Sequence, residues 1–165
     1  MTGHLILMKP NHRDLLLDTG LRVLHKRGFN ATSVQDITEA AGVPKGSFYN
    51  HFESKEDLGA EAVLRYIESS NKTQAALHDT KLSPYARLRK YLECLVQVAE
   101  KNEFCGGCLL GNFGAELSDQ SEMIRVRVSK GFSTWSASIA GVIAEAQAEG
   151  QISKDLPART LPRSF

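Results

Sequence analysis

Residues 32–52 read Thr-Ser-Val-Gln-Asp-Ile-Thr-Glu-Ala-Ala-Gly-Val-Pro-Lys-Gly-Ser-Phe-Tyr-Asn-His-Phe, and this stretch decides the fold of the N-terminal part of the chain. Its pattern predicts two very short helices joined by a tight turn at Gly42. In the second helix, Phe48 and Phe52 are expected to face the interior. A helix this short is not stable alone, so the rest of the chain must hold it in place. The arrangement predicts a helix-turn-helix.

The exposed face of the second helix carries side chains that bond phosphates and base edges. In a helix-turn-helix, this helix lies in the major groove of DNA. By residue type, the expected base readers are Lys45, Ser47 and Asn50, and the expected phosphate contacts are Tyr49 and His51. The predicted DNA-binding set also includes residues at helix starts and one glycine, namely Thr32, Ser33, Lys55 and Gly46. The alternative is a solvated polar face on a helical hairpin.

The rest of the chain predicts helices almost throughout, and no segment alternates as a strand would. Asn11 caps a first helix that ends at Gly28, and Ser54 caps a long fourth helix that reaches about Leu77. The other predicted helices run from a cap at Thr32 or Ser33 to Ala41, from Val43-Pro44, from Ser83-Pro84, over about residues 108–117, and from Ser121 to Glu149. The predicted fold is all-α, with a three-helix head over residues 9–53 and a helical body over residues 54–165.

Charge permits DNA binding but does not argue for it. The 165-residue chain has a net charge of only +1, and seven Lys and Arg between Lys9 and Leu58 are balanced by seven Asp and Glu. Binding to DNA must then come from a local cluster that dimerisation doubles. The sequence contains no run of about 18 consecutive apolar residues, so no membrane helix is predicted. Three cysteines without a signal peptide predict reduced thiols in the cytoplasm.

The order of glycine, aromatic and capping residues in the head resembles the signature of the TetR family of bacterial repressors. The residues that carry this resemblance lie at 28–34, 36–37, 40–43, 45–52 and 54–58. The resemblance implies a homodimer that binds a palindromic double-stranded operator, and a body that binds an effector and dimerises. A ligand that shifts the fourth helix would then change the separation of two recognition helices, which must lie about 34 Å apart.

A second motif, Cys105-Gly-Gly-Cys108, has two open interpretations. A zinc site needs further ligands and a thioredoxin-like site needs a strand, so neither a metal nor a cofactor is predicted. One interpretation is two small residues packed in a loop. The other follows from residues 107–116, which resemble a branch of N-ethylmaleimide-reductase and acrylate-responsive repressors. That resemblance implies that Cys108 senses electrophiles or oxidants, with Cys105 as the resolving thiol, since a helix start favours the thiolate.

Aromatic and apolar side chains in the body suggest a ligand pocket between helices. The residues of suitable type are Tyr66, Tyr91, Leu95, Phe113, Phe132 and Trp135. Residues of this type at helical spacing are more often core, and we expect most of them to be core. The effector itself is not predicted.

The chain departs from the family pattern at its C-terminal end. Members usually continue with two long helices that form the dimer, whereas here a helix begun at Asp155 would be interrupted by Pro162. The body is therefore expected to be shortened. Three functions follow, in order of preference: a DNA-binding regulator without catalysis, a thiol-redox switch or small redox protein using Cys105 and Cys108, and a helical module whose head binds protein.

Overall fold

The computed structural model describes residues 11–155, which form seven α-helices, one 3₁₀ turn and no strand. The helices are α1 His12–Arg27, α2 Val34–Ala41, α3 Lys45–Phe48, α4 Lys55–Gln74, α5 Pro84–Lys101, α6 Leu109–Leu117 and α7 Glu122–Ala148, and the 3₁₀ turn is Ala75–His78. The predicted all-α class is confirmed. The expectation of a helix interrupted at Pro162 lies outside the described residues.

Helix starts follow the capping residues read from the sequence. Side-chain oxygens of Asn11, Ser54, Ser83 and Ser121 each accept a main-chain N–H of the helix that follows. The cap of α2 is Ser33, one of the two residues predicted for it. These local signals therefore position five of the seven helices.

Two helices are shorter than predicted. Helix α4 ends at Gln74, and the 3₁₀ turn continues the chain past Leu77. Helix α3 is a single turn, because the N–H of His51 bonds the Phe48 carbonyl three residues back, at 3.0 Å. Tyr49, Asn50 and His51 therefore lie on the turn after α3 rather than on the helix itself.

One apolar core runs without interruption from the head, α1–α3, into the body. Leu16, Leu24, Phe48 and Phe52 of the head belong to the same buried cluster as Leu109, Phe113 and Ile124 of the body. Helix α4 lies in the middle of this cluster and contributes Leu58, Ala62 and Val63. Helix α4 is therefore packed against core residues of both the head and the body.

Two glycines leave room for large side chains where α4 packs against the head. A Cβ on Gly20 of α1 would lie 2.7 Å from Leu58, and a Cβ on Gly59 would lie 2.8 Å from the ring of Phe29. A side chain at either position would therefore have to displace Leu58 or Phe29 from its place in the core. We call this contact between α1, the Phe29 loop and α4 the head–body seam.

A second, smaller core holds α5 against α7. It contains Leu77, Tyr91 and Val142. The buried guanidinium of Arg87 donates to the Leu77 carbonyl at 3.2 Å and to the carboxylate of Glu145. Because this pairing joins the 3₁₀ turn, α5 and α7, these elements form one side of the body.

Candidate nucleic-acid interface and ligand cavity

A tight turn joins α2 to α3, as predicted. Gly42 adopts a left-handed conformation with φ of 67°, which suits glycine. The N–H of Val43 then bonds the Thr38 carbonyl at 3.0 Å, and Pro44 precedes the first residue of α3. Phe48 and Phe52 are fully buried below the turn, as expected from the sequence.

The opposite side of α3 and its turn is open. Lys45, Gly46, Tyr49 and Asn50 are exposed, and Ser47 and His51 are partly exposed. The ring of Tyr49 is held edge-on against Phe48, with centroids 5.3 Å apart. Among the described residues, none forms a side-chain hydrogen bond or ion pair with any of these six. Their polar groups are therefore available to an external partner.

At the start of α2, Ser33 acts as a cap rather than as a free donor. Its N–H and its hydroxyl both donate to the carboxylate of Asp36, at 2.7 and 2.5 Å, and its Oγ accepts from the Asp36 N–H. These hydrogen bonds hold the pKa of Asp36 below its ordinary value. With an ionised carboxylate occupying both donors, a phosphate here could use only the following main-chain N–H groups of α2.

Thr32, one of the predicted DNA contacts, has its side chain turned into the protein. Thr32 is buried, its hydroxyl donates to the Gly28 carbonyl at 2.7 Å, and its N–H donates to the Phe29 carbonyl at 3.2 Å. Both donors are therefore satisfied within the loop between α1 and α2.

The side chain of Lys55 is also turned away from a DNA-facing role. Its ammonium donates to the carbonyls of Phe29 and Thr32, at 2.9 and 2.7 Å, and lies 4.3 Å from the centroid of the Phe29 ring. Partial burial lowers the pKa of Lys55. Lys55 thus braces the head–body seam, and only its main-chain N–H remains for a phosphate.

Helix α6 contacts the same loop from the other side. The carboxylate of Glu116 accepts the N–H of Asn30 at 3.0 Å. Phe113 is fully buried and packs edge-on against Phe29, with centroids 5.7 Å apart. The loop between α1 and α2 is therefore held by α4 and by α6.

A cavity of about 470 Å³ lies between α4, α5, α7 and the loop that precedes α6. Six of the residues proposed for an effector line it: Tyr66, Tyr91, Leu95, Cys105, Cys108 and Trp135. Phe113 and Phe132 do not, because Phe113 belongs to the core and Phe132 packs against that core and stacks on Trp135. Tyr91 and Phe113 belong to the two cores, and Tyr66, Phe132 and Trp135 pack against them. Most of the six aromatic and apolar residues are therefore core, as expected, although four of the six also line the cavity. The volume suits a small ligand.

Two tyrosines lie close together in the cavity wall. The hydroxyl of Tyr91 accepts a hydrogen bond from Nε1 of Trp135. Burial, followed by the adjacent Cys108 thiol, raises the pKa of Tyr66 to about 12. Burial also raises the pKa of Tyr91. Both phenols therefore stay protonated at neutral pH.

The loop that precedes α6 links the cavity to α1. It contains four left-handed residues, of which Glu103 and Phe104 are not glycine and are strained. From α1, Nε2 of His25 donates to the carbonyl of Gly107 in this loop at 2.9 Å. The His25 ring also packs edge-on against Tyr66, with centroids 5.5 Å apart. Sequence reasoning missed His25, because nothing in the local pattern marks a contact 82 residues away.

The three cysteines are free thiols. Cys105 is exposed in the loop, and Cys108 is half-buried at the start of α6 beside Tyr66. Within residues 11–155, no group of three or more His, Cys, Asp and Glu side chains could hold a metal ion. No helix in this part of the chain is both long enough and apolar enough to cross a membrane.

The tight turn, the open polar face and the helical body define a DNA-binding transcriptional regulator of the helix-turn-helix class. Two family sequence models match the chain: "Bacterial regulatory proteins, tetR family" at residues 16–62, and "Tetracyclin repressor-like, C-terminal domain" at residues 84–164. The chain belongs to the TetR family. Of the three functions considered from the sequence, membership supports the DNA-binding regulator.

Relatives agree with this assignment. The HTH-type transcriptional repressor DhaR of Mycobacterium sp. strain GP1 is 38% identical over 145 residues, which are 87% of this chain and 71% of DhaR. The transcriptional regulator AcuR of Cereibacter sphaeroides is 33% identical over 151 residues, 91% of this chain and 69% of AcuR. The crystal structure of regulatory protein TetR from Rhodobacter sphaeroides has a TM-score of 0.82 at 32% identity, covering 89% of this chain and 78% of that chain.

Proposed function

We propose that the protein is a repressor that binds a palindromic double-stranded operator as a homodimer and is released by a small-molecule effector. It acts by binding, in the cytoplasm, and not by catalysis. The functional division is a DNA-reading head at residues 9–53 and an effector-binding and dimerising body at residues 54–165. The observation that carries the proposal is the open polar face over residues 45–51, supported from below by Phe48 and Phe52.

The proposed contacts follow from residue type and exposure. Lys45, Ser47 and Asn50 would reach base edges in the major groove, while Tyr49 and His51 would bond phosphates on the flanking backbone. Gly46 has open space beyond its Cα, so the first turn of α3 can approach DNA closely. At the starts of α2 and α4, main-chain N–H groups near Ser33 and Lys55 would add phosphate contacts.

Selection from random duplex DNA tests this function. We expect recovered sequences to share two inverted half-sites whose centres lie about 34 Å apart, or a multiple of that distance, because a dimer presents two copies of α3. Binding should weaken steeply with salt, since phosphate contacts release counterions. Recovery of unrelated sequences, or failure to bind any duplex, would contradict a sequence-specific regulator and favour a head that binds protein.

Release would follow the physical connection between cavity and head. Helix α4 lines the cavity with Tyr66 and holds the head–body seam with Leu58 and Gly59. The hydrogen bond from His25 to Gly107 gives a second connection, from the loop directly to α1. A ligand that binds a displaced arrangement of these elements more tightly would move the heads out of register with the operator.

We further propose that Cys108 makes this cavity responsive to electrophiles, since its thiol lines the wall beside Tyr66. Treatment with N-ethylmaleimide should lower the affinity of the parent for its operator at least about tenfold. A change of this size is ordinary for the coupling between two sites in allosteric proteins. Cys108→Ser should keep full affinity after treatment. His25→Ala should react at Cys108 but release DNA less, because one connection to α1 is lost.

The matched control is Cys105→Ser, which removes the exposed thiol of the same loop. It should release DNA as the parent does if Cys108 alone carries the response. Mass spectrometry of the modified peptide, combined with operator binding by fluorescence anisotropy, measures both quantities. Release of DNA by treated Cys108→Ser would show that Cys108 is not the sensor and leave it a packing residue.

A further inference from the structure

The cavity wall has polar groups but no charge. Among the described residues that line it, none is Asp, Glu, Lys, Arg or His. His25 lies behind the wall, packed against Tyr66 and bonded to Gly107. An ion held in this cavity would lose hydration without meeting an opposite charge, which is costly.

The hydroxyls of Ser69 and Ser70 on α4 do not compensate for the missing charge. Ser69 donates to the Tyr66 carbonyl and Ser70 donates to the Ile67 carbonyl, both at 2.7 Å. These serines therefore satisfy their own helix rather than a ligand. Their donor groups are not available to solvate an anion.

The wall keeps neutral donors for a ligand, namely the phenols of Tyr66 and Tyr91 and the side chains of Asn71, Thr73, Gln74, Asn102 and Thr134. Tyr91 accepts its hydrogen bond from Trp135 and so keeps its own O–H to donate. Tyr66 lies against the thiol of Cys108, which is a weak acceptor that a carbonyl oxygen can replace. Leu95 and Val98 of α5 give apolar surface on the same cavity.

We infer that this cavity selects a neutral small molecule with a hydrogen-bond acceptor, such as an ester, ketone or amide, and rejects the corresponding carboxylate. The inference rests on the proposed effector cavity and adds the chemical class of its ligand. The phenols of Tyr66 and Tyr91 would donate to the acceptor, and the apolar part of the ligand would lie against α5 and Trp135. A ligand of one or two rings fits the volume of about 470 Å³.

Matched pairs of ester and acid test the inference on the full chain. Methyl benzoate with benzoate, methyl phenylacetate with phenylacetate, and methyl hexanoate with hexanoate differ mainly in charge at neutral pH. The chain has a single tryptophan, Trp135, and it lines the cavity, so its fluorescence reports binding, with isothermal calorimetry as the second measurement. We expect each ester to bind at least about tenfold more tightly than its acid.

Substitutions in the wall sharpen the test. Thr134 lines the cavity from α7 and is exposed, so it tolerates a longer side chain. Thr134→Lys supplies a positive charge and should raise benzoate affinity about tenfold relative to the neutral control Thr134→Gln. Tyr66→Phe should weaken methyl benzoate about fivefold through the loss of one hydrogen bond.

Three results would overturn the inference: acids that bind as tightly as their esters, esters that do not bind at all, or a benzoate affinity that Thr134→Lys leaves unchanged. Operator binding without any ligand is measured in parallel. A parent chain that fails to bind DNA contradicts the proposed regulator, whereas selectivity for esters over acids would still stand.

Discussion

Replacing Lys45 and Tyr49 together by alanine should lower operator affinity at least about 100-fold, since contacts of this kind are each worth about 1–3 kcal/mol and a dimer loses them twice. The reason is geometric. Both side chains are exposed on one open face, and Tyr49 is oriented by its contact with Phe48. Fluorescence anisotropy on the selected operator measures the loss.

The chain supplies matched controls for this double variant. Tyr85 of α5 is 51% exposed, close to the 56% of Tyr49, and lies in the body. Tyr85→Ala and Lys101→Ala should leave operator affinity within about twofold, and all of these surface changes should alter the free energy of unfolding by less than about 0.5 kcal/mol. A double variant that binds within threefold of the parent would remove α3 from the DNA interface.

The single variants separate the two kinds of contact. If Lys45 bonds a phosphate, Lys45→Ala weakens all duplexes alike and reduces the salt slope by about one. If it reads a base, specificity relaxes at one position of the half-site. Tyr49→Ala should weaken binding with little change in salt slope, because a neutral phenol releases no counterion.

Phe29→Ala should lower the free energy of unfolding by about 3–5 kcal/mol, the range for a buried phenylalanine. Phe29 is only 8% exposed and fills the head–body seam, where it touches Gly59, Phe113 and the ammonium of Lys55. Truncation to alanine would open a cavity beside Phe113 and Lys55. Urea unfolding followed by circular dichroism measures the change.

The matched control for this prediction is Phe104→Ala, because Phe104 is 74% exposed. It should change the free energy of unfolding by less than about 0.5 kcal/mol. Phe29→Leu keeps most of the apolar volume and should cost clearly less than alanine. A loss below about 1 kcal/mol for Phe29→Ala would mean that the seam does not depend on this ring.

Local chemistry explains what the sequence predicted correctly. A capping serine acts within three residues, so the starts of α4, α5 and α7 could be read from Ser54, Ser83 and Ser121. The turn at Gly42 and the buried side of α3 likewise depend on neighbours in the chain. Of the polar face over residues 45–51, Lys45, Gly46 and Ser47 lie on α3, whereas Tyr49, Asn50 and His51 follow it on a turn.

Contacts between distant segments explain what was missed. The carbonyls that hold Lys55 belong to residues 23 and 26 positions earlier, so the sequence near Lys55 gives no sign of them. Tyr66 and Trp135 have the spacing of core residues, and only the packing of α5 and α7 leaves space beside them. Thr32 was placed correctly along the chain, but the direction of its hydroxyl depends on the loop that it closes.

The head–body seam has a consequence for genetics. Gly20 and Gly59 lie away from the open polar face over residues 45–51, yet each admits no side chain without displacing Leu58 or Phe29. A screen of random mutants for loss of repression would therefore recover substitutions at these glycines as readily as substitutions over residues 45–51. Mutants of the two kinds would share one phenotype, the loss of repression. Only a measurement of folding would separate a chain that cannot bind its operator from one in which the head no longer packs against the body.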